Sequence, residues 1–196
     1  MDDQRQSILA RIGSLESRLH KAEHSLHHLR DIESIRTLRM RYHEMISEGD
    51  RVHEISNLFV EEGEIDADVF GRGRHDAPEI RKFLTQPSFV KEFIHNHIVE
   101  VNGDTGTGRS YQEAMTVING KALLICGRWD DEYVRTSDVW RFQKIMFSPF
   151  IVNEPQDQSL ADTDLRAVDP YKDFINRDAD GNLIIPGAAP AHSAQP

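Results

Sequence analysis

From His97 to Phe147 the chain is a succession of period-two segments cut by turn residues, and this pattern constrains the fold more than any other feature. His97–Val101 ends at Asn102-Gly103, Thr107–Ile118 ends at Asn119-Gly120, and Lys121–Arg135 ends at Thr136-Ser137-Asp138, with Val139–Phe147 following. Asn-Gly between alternating segments is a strong hairpin signal, because the tight turns that match strand twist need positive φ. Within Gly127–Phe142, Trp129, Tyr133, Val134, Val139, Trp140 and Phe142 are aromatic or β-branched and suit a pleated, half-buried surface. Four antiparallel strands in a meander are therefore expected.

Helical periodicity precedes them. Ile8, Ile12, Leu15, Leu19, Ala22, Leu26 and Leu29 alternate spacings of four and three, the a/d seam of a coiled coil. That register puts Arg11 and Arg18 at g, Glu16 and Glu23 at e, and His20, His24, His27 and His28 on the solvent side. The stripe predicts either a parallel homo-oligomeric contact, dimer or trimer, or one amphipathic helix packed on its own domain. Asp31 is placed to cap a second helix carrying Ile32, Ile35, Leu38, Tyr42, Met45 and Ile46 and ending near Gly49-Asp50. A short helix over Val52–Phe59, a strand over Glu64–Phe70, a loop after Gly71-Arg72-Gly73 and a helix started by Asp76 and Pro78 follow. Helices first and then a run of antiparallel strands is an α+β order.

Composition limits the partners. A formal charge of −10 argues against nucleic acid, which needs a basic face. No run of 18 apolar residues is present, so no membrane-spanning helix is expected. The first residues lack the basic-then-apolar form of a secretory signal, and a cytoplasmic protein is the expectation. Cys126 is the only cysteine and reads, beside Leu123–Ile125, as a buried thiol. Neither a metal nor a cofactor is expected. Residues 151–196 read as a tail rich in Asp, Pro and Ala, with an apolar knot at Leu183–Pro186 and a turn at Asp178–Asn182.

The closing hairpin, a Gly-aromatic-Asp run followed by Tyr-Val-Arg, a polar turn and Trp-Arg-Phe, resembles the SnoaL-like branch of the nuclear transport factor 2-like superfamily. So does Val99–Gly108, VEVNGDTGTG, although Gly106 stands where the family usually has Ala. The resemblance covers about residues 31–148. It implies a cone-shaped, curved antiparallel or mixed sheet wrapped on about three helices, with a deep, mostly apolar pocket. The expected organisation is an N-terminal helical extension over 1–30, the cone over 31–150 and an irregular tail over 151–196.

The same resemblance carries expectations about chemistry. Cofactor-free lyases of this superfamily pair an Asp near the end of the first barrel helix with a His on a strand, and a Tyr on that helix polarises a substrate oxygen. Here Tyr42 matches the Tyr, and the orienting carboxylate is Asp50 or Glu48, or is absent. The usual His position falls on Glu92, with His95 and His97 nearby, while Asn96 matches a family Asn. Candidate catalytic residues are thus His95, Glu92, Tyr42, Asp50 and Arg135. Asn96, Tyr111, Trp129, Phe93 and Met115 are candidate substrate contacts for a small hydrophobic or aromatic guest. The implied activity is dehydration of a hydroxylated aromatic or alicyclic substrate, or loss of formaldehyde from a diarylpropane-type compound. An isomerase, an epoxide hydrolase and a non-catalytic binding or assembly module of the same fold are the alternatives.

Overall fold

A computed structural model describes residues 2–49, 51–68, 71–155, 176–177 and 183–184. The chain divides into two units, Met1–Ala161 and Asp162–Pro196. In the second, β7 (Asn176–Arg177) pairs antiparallel with β8 (Leu183–Ile184). The rest of the apolar knot and the turn before it lie outside the described residues.

The first unit begins with one helix, α1 (Asp2–Glu48), where two were expected. Asp31 does not cap a break. It lies within α1, and its Oδ1 accepts from Arg135 Nη1 at 2.8 Å and from the Trp140 indole at 2.9 Å. Those bonds come from the closing hairpin, so tertiary contact keeps the helix continuous where local chemistry suggested a cap. α1 ends as expected at Gly49, whose φ of +76° and amide bond to the Met45 carbonyl close the last turn.

A 3-10 helix over Val52–Leu58 leads into β1 (Phe59–Asp66), which starts five residues before the expected strand. β2 (Arg72–Arg74) pairs with β1 where no strand was expected, and α2 (Pro78–Thr85) starts at the expected Pro. Then come β3 (Phe89–Asn102), β4 (Thr105–Ile118), β5 (Lys121–Thr136) and β6 (Val139–Asn153). The strand order β2-β1-β6-β5-β4-β3 makes one six-stranded curved sheet, antiparallel except where β1 runs parallel to β6. This is the α+β cone that the resemblance implied. The turns behave as their residues dictate: Asn119-Gly120 and Ser137-Asp138 all have positive φ.

The second half of α1 crosses the inner face of the sheet. Ile35, Leu38, Tyr42 and Met45 are buried there with Phe59, Ile65, Trp129, Tyr133, Phe142 and Phe147. Trp129, a candidate substrate contact, is thus also part of the core. Cys126 is partly exposed rather than buried, since its strand position alternates away from the interior. The pairing of β5 with β6 shifts at Cys126/Gly127, and a Cβ at Gly127 would overlap the ring of Phe147. Gly127→Ala is expected to lower stability by about 1–3 kcal/mol, the usual cost of overpacking. Urea unfolding measures it, and an unchanged midpoint would show that the Phe147 ring can move aside freely.

Candidate active site

The residues that matter come from one helix stripe and three strand faces. On α1, Arg39 and His43 stand four and eight residues after Ile35, so a 3.6-residue period turns all three toward the sheet. Alternation along β4 buries Ser110, Gln112, Ala114 and Thr116, and along β5 it buries Trp129, Asp131 and Tyr133. Glu92 and Ile94 of β3 are the less exposed residues of their stretch and lie opposite Ala114 and Gln112.

Beyond them β3 carries a bulge. His95 pairs with Tyr111 but Ile98 pairs with Arg109, so one residue is extra. Asn96 absorbs it at φ 52°, a conformation Asn tolerates better than most residues. The bulge reverses the expected parity. Asn96 is exposed and His97 turns inward, with its Nε2 3.4 Å from the Tyr133 hydroxyl.

Glu92 is the hub. Its Oε2 lies 2.5 Å from His43 Nδ1, and its Oε1 accepts from Gln112 Nε2 at 3.1 Å. The Trp129 indole N–H donates to Gln112 Oε1. An indole can only donate, so it fixes the amide orientation and leaves the Gln112 NH₂ group for Glu92. The carboxylate is thereby held as an acceptor on one side by an amide and on the other by an imidazole. Both side chains of the pair are nearly buried, at 8% and 4% exposure.

Glu92, Gln112 and Trp129 face a cavity of about 60 Å³ together with Tyr42, whose buried hydroxyl has no hydrogen-bond partner among the described residues. The remaining walls are mostly apolar. Ile46, Phe83, Pro87, Val90 and Ile118 are its partly exposed members and mark where it approaches the surface.

Beside this cavity lies a second buried group. The Arg39 guanidinium is fully buried, with Nε 3.2 Å from Asp131 Oδ2 and its carbon 4.2 Å from the centre of the Trp129 ring. None of its nitrogens makes an aligned hydrogen bond among the described residues. Asp131 Oδ2 also accepts from the Tyr133 hydroxyl at 2.7 Å. Among the described residues, no cluster of three or more His, Cys, Asp or Glu is placed to hold a metal ion.

Of the residues singled out from sequence, Glu92, Tyr42 and Trp129 come together in the cavity. His95 does not: it is exposed, 3.9 Å from Glu113 on the outer face. Phe93 and Tyr111 point outward with it, Tyr111 packing against Phe150, and Met115 shares their strand parity. Asn96 serves the bulge. Arg135 lies away from the cavity lining and pairs with Asp31 and Asp104. Asp50 lies outside the described residues, and Glu48 is exposed, within 3.6 Å of Arg51. His43, Gln112 and Arg39 were missed. Their signal was available as polar residues on otherwise apolar stripes, at i+4 and i+8 from Ile35 and at alternate positions of β4.

Burial dominates the electrostatics. It pushes the Tyr42 hydroxyl well above its usual range, so that group stays a donor. It also lowers His43, against the opposing pull of Glu92, so the imidazole stays neutral. Asp131 is raised by burial to about 6 despite Arg39, and His97 is lowered to about 4 by burial and then by Arg39.

Two signs follow for stability. A histidine held below its ordinary 6.5 refuses protons that the unfolded chain accepts, so His43 and His97 withdraw stability as pH falls below that value. Asp131 acts oppositely, because its folded value exceeds the ordinary 3.8 and acidification through 6 relieves its cost. Replacing His97 by Gln isolates one contribution. The unfolding free energy of the native chain relative to H97Q is expected to fall between pH 7 and pH 4, and a pH-independent difference would contradict the burial of His97.

Comparison with known proteins agrees with this architecture. An uncharacterized protein of Mycobacterium tuberculosis is 31% identical over 113 residues, covering 49% of this chain and 76% of its own. The hexachlorocyclohexane dehydrochlorinase LinA-type3 of Novosphingobium barchaimii superposes with a TM-score of 0.60 at 16% identity, covering 67% of this chain and 94% of its own. A scytalone dehydratase-like protein of Novosphingobium aromaticivorans gives 0.58 at 16% identity, covering 66% and 90%. These two share the fold. The sequence pattern of the SnoaL-like domain matches residues 27–145, more than half of the chain, and the chain belongs to that family.

Proposed function

We propose that this chain is a cofactor-independent lyase that eliminates water, or a one-carbon fragment such as formaldehyde, from a small hydroxylated aromatic or alicyclic compound. The observation that carries this reading is a fixed carboxylate, Glu92, on the wall of an apolar cavity that Tyr42, with its unpartnered hydroxyl, also lines. The related folds of a dehydrochlorinase and a dehydratase-like protein support the reaction class.

In the dehydration, Glu92 takes the proton from the carbon next to the one bearing the hydroxyl. The C–H electrons form the new double bond as the C–O bond breaks. The Tyr42 hydroxyl donates a hydrogen bond to the departing oxygen and keeps its own proton. Glu92 then returns the abstracted proton to the leaving hydroxide, so water departs and the protein ends as it began. His43 and Gln112 are positioning residues, which hold the carboxylate so that little reorganisation is needed. The pair is exchanged relative to the superfamily pattern: here the imidazole sits on the helix and the carboxylate on the strand.

One observation favours a non-catalytic assembly module instead. The cavity is about 60 Å³, whereas a cavity of roughly 150 Å³ is the kind that admits benzene. On the lyase reading, a ring gains room by outward movement of the partly exposed wall at Ile46, Phe83 and Ile118.

A panel of aryl and alicyclic alcohols, assayed for loss of water and for released aldehyde, separates the readings. Turnover by the native chain is expected to fall by about 10²–10⁴-fold in Glu92→Gln, the usual worth of a general base. Tyr42→Phe should lower kcat with the fold intact by circular dichroism. Unchanged turnover in E92Q would remove the proposal, and an absence of both binding and turnover across the panel would favour the module.

A further inference from the structure

The first half of α1 is the part of the molecule that the proposed chemistry leaves unexplained. Ile8, Ile12, Leu15, Leu19, Leu26 and Leu29 stand 45–61% exposed, and every residue from Gln4 to Arg30 is exposed. The chain's own cone therefore does not cover this seam, which removes the alternative of an amphipathic helix packed on its own domain.

The geometry points to a second copy of this chain as the occupant, in a parallel, in-register, two-stranded coiled coil over residues 8–29. Charge selects both the occupant and its direction. In a parallel pair each g position meets the e position five residues on in the other strand, so Arg11 faces Glu16 and Arg18 faces Glu23, twice each by symmetry. In an antiparallel pair g meets g and e meets e, which sets arginine against arginine and glutamate against glutamate. The His20, His24, His27 and His28 cluster and Gly13 fall on the outer positions, where nothing has to pack; a Cβ at Gly13 would meet nothing within 4 Å.

Two features of the fold make room for this contact. A seam of this length is marginal as an isolated helix because the first turn is costly to nucleate. Here α1 runs unbroken into the cone, so packing of Ile35, Leu38, Tyr42 and Met45 has already formed the helix that the seam extends. The direction of the seam is the second feature. With 3.6 residues per turn, the mean direction of the a and d positions lies roughly 150° around the helix from that of the four cone-packing residues. A partner helix laid on the seam thus approaches from the side away from the sheet, and the two cones stand outward from the coil at its C-terminal end. The repeat stops where Glu33 and Arg36 would have followed Leu29.

The test uses the full chain. Light scattering should give twice the 22.5 kDa of one chain. The double variant Leu19→Glu, Leu26→Glu should give the single-chain mass with an unchanged thermal melt of the cone, because both side chains are exposed within the protomer. A separate variant, Ile8→Cys in a Cys126→Ser background, should form an inter-chain disulfide on mild oxidation, since only the parallel register brings residue 8 to residue 8. A monomeric native chain, a trimer, a dimer that survives L19E/L26E, or a dimer without the disulfide would each overturn the proposal.

Discussion

The guanidinium of Arg39 is enclosed on all sides, and a buried charge without compensation costs several kcal/mol. Its compensation comes from β5: the carboxylate of Asp131 at 3.2 Å and the face of Trp129 at 4.2 Å. Breaking such a pair by removing one partner typically costs about 3–5 kcal/mol. This contact locks α1 onto the middle of the sheet, and the candidate site inherits its geometry from that lock. Trp129, held under Arg39, orients Gln112 on β4; Gln112 orients Glu92 on β3; and Glu92 closes on His43, one helical turn beyond Arg39. A helix and three adjacent strands are joined in one ring of polar contacts inside an otherwise apolar cone.

Such a ring does more for specificity of geometry than for stability. Each neutral hydrogen bond contributes about 1 kcal/mol net, whereas leaving a buried member unpaired costs more than the bond returned. The low local dielectric that makes errors expensive also makes a fixed carboxylate effective toward a proton beside it. The Tyr42 hydroxyl and His43 Nε2 remain without partners among the described residues, and each is a buried group whose desolvation the fold has not offset. On the lyase reading, the substrate oxygen supplies the missing partner of Tyr42.

The strands and their turns could be read from the sequence because period two and Asn-Gly turns are local properties. The inward roles of Glu92 and Tyr42 followed from the resemblance, which fixed their places relative to the Asn102-Gly103 turn and the first helix. What failed was non-local. Asp31 looked like a helix cap because Asp favours caps, but Arg135 and Trp140, more than a hundred residues away, claim its carboxylate. His95 looked like the base because a slip in the preceding loop would carry it into the pocket, but β3 pairs without a shift from Phe89 to His95, so alternation from Glu92 leaves His95 outside. The extra residue after it then turns His97 inward. His43 was overlooked because the superfamily pattern places its imidazole on a strand. The helix stripe alone, with Arg39 and His43 in register with Ile35, would have flagged both.

The candidate site depends on His43 being a buried neutral imidazole that donates from Nδ1 to the Glu92 carboxylate. Nitrogen-15 NMR of labelled imidazole reports this directly. The His43 ring should show a protonated Nδ1 and a bare Nε2, stay neutral from pH 8 down past the ordinary histidine range, and lose its Nδ1 hydrogen-bond signature in Glu92→Gln. A His43 ring that titrates near 6.5 like an exposed histidine, or whose spectrum ignores the E92Q change, would contradict it.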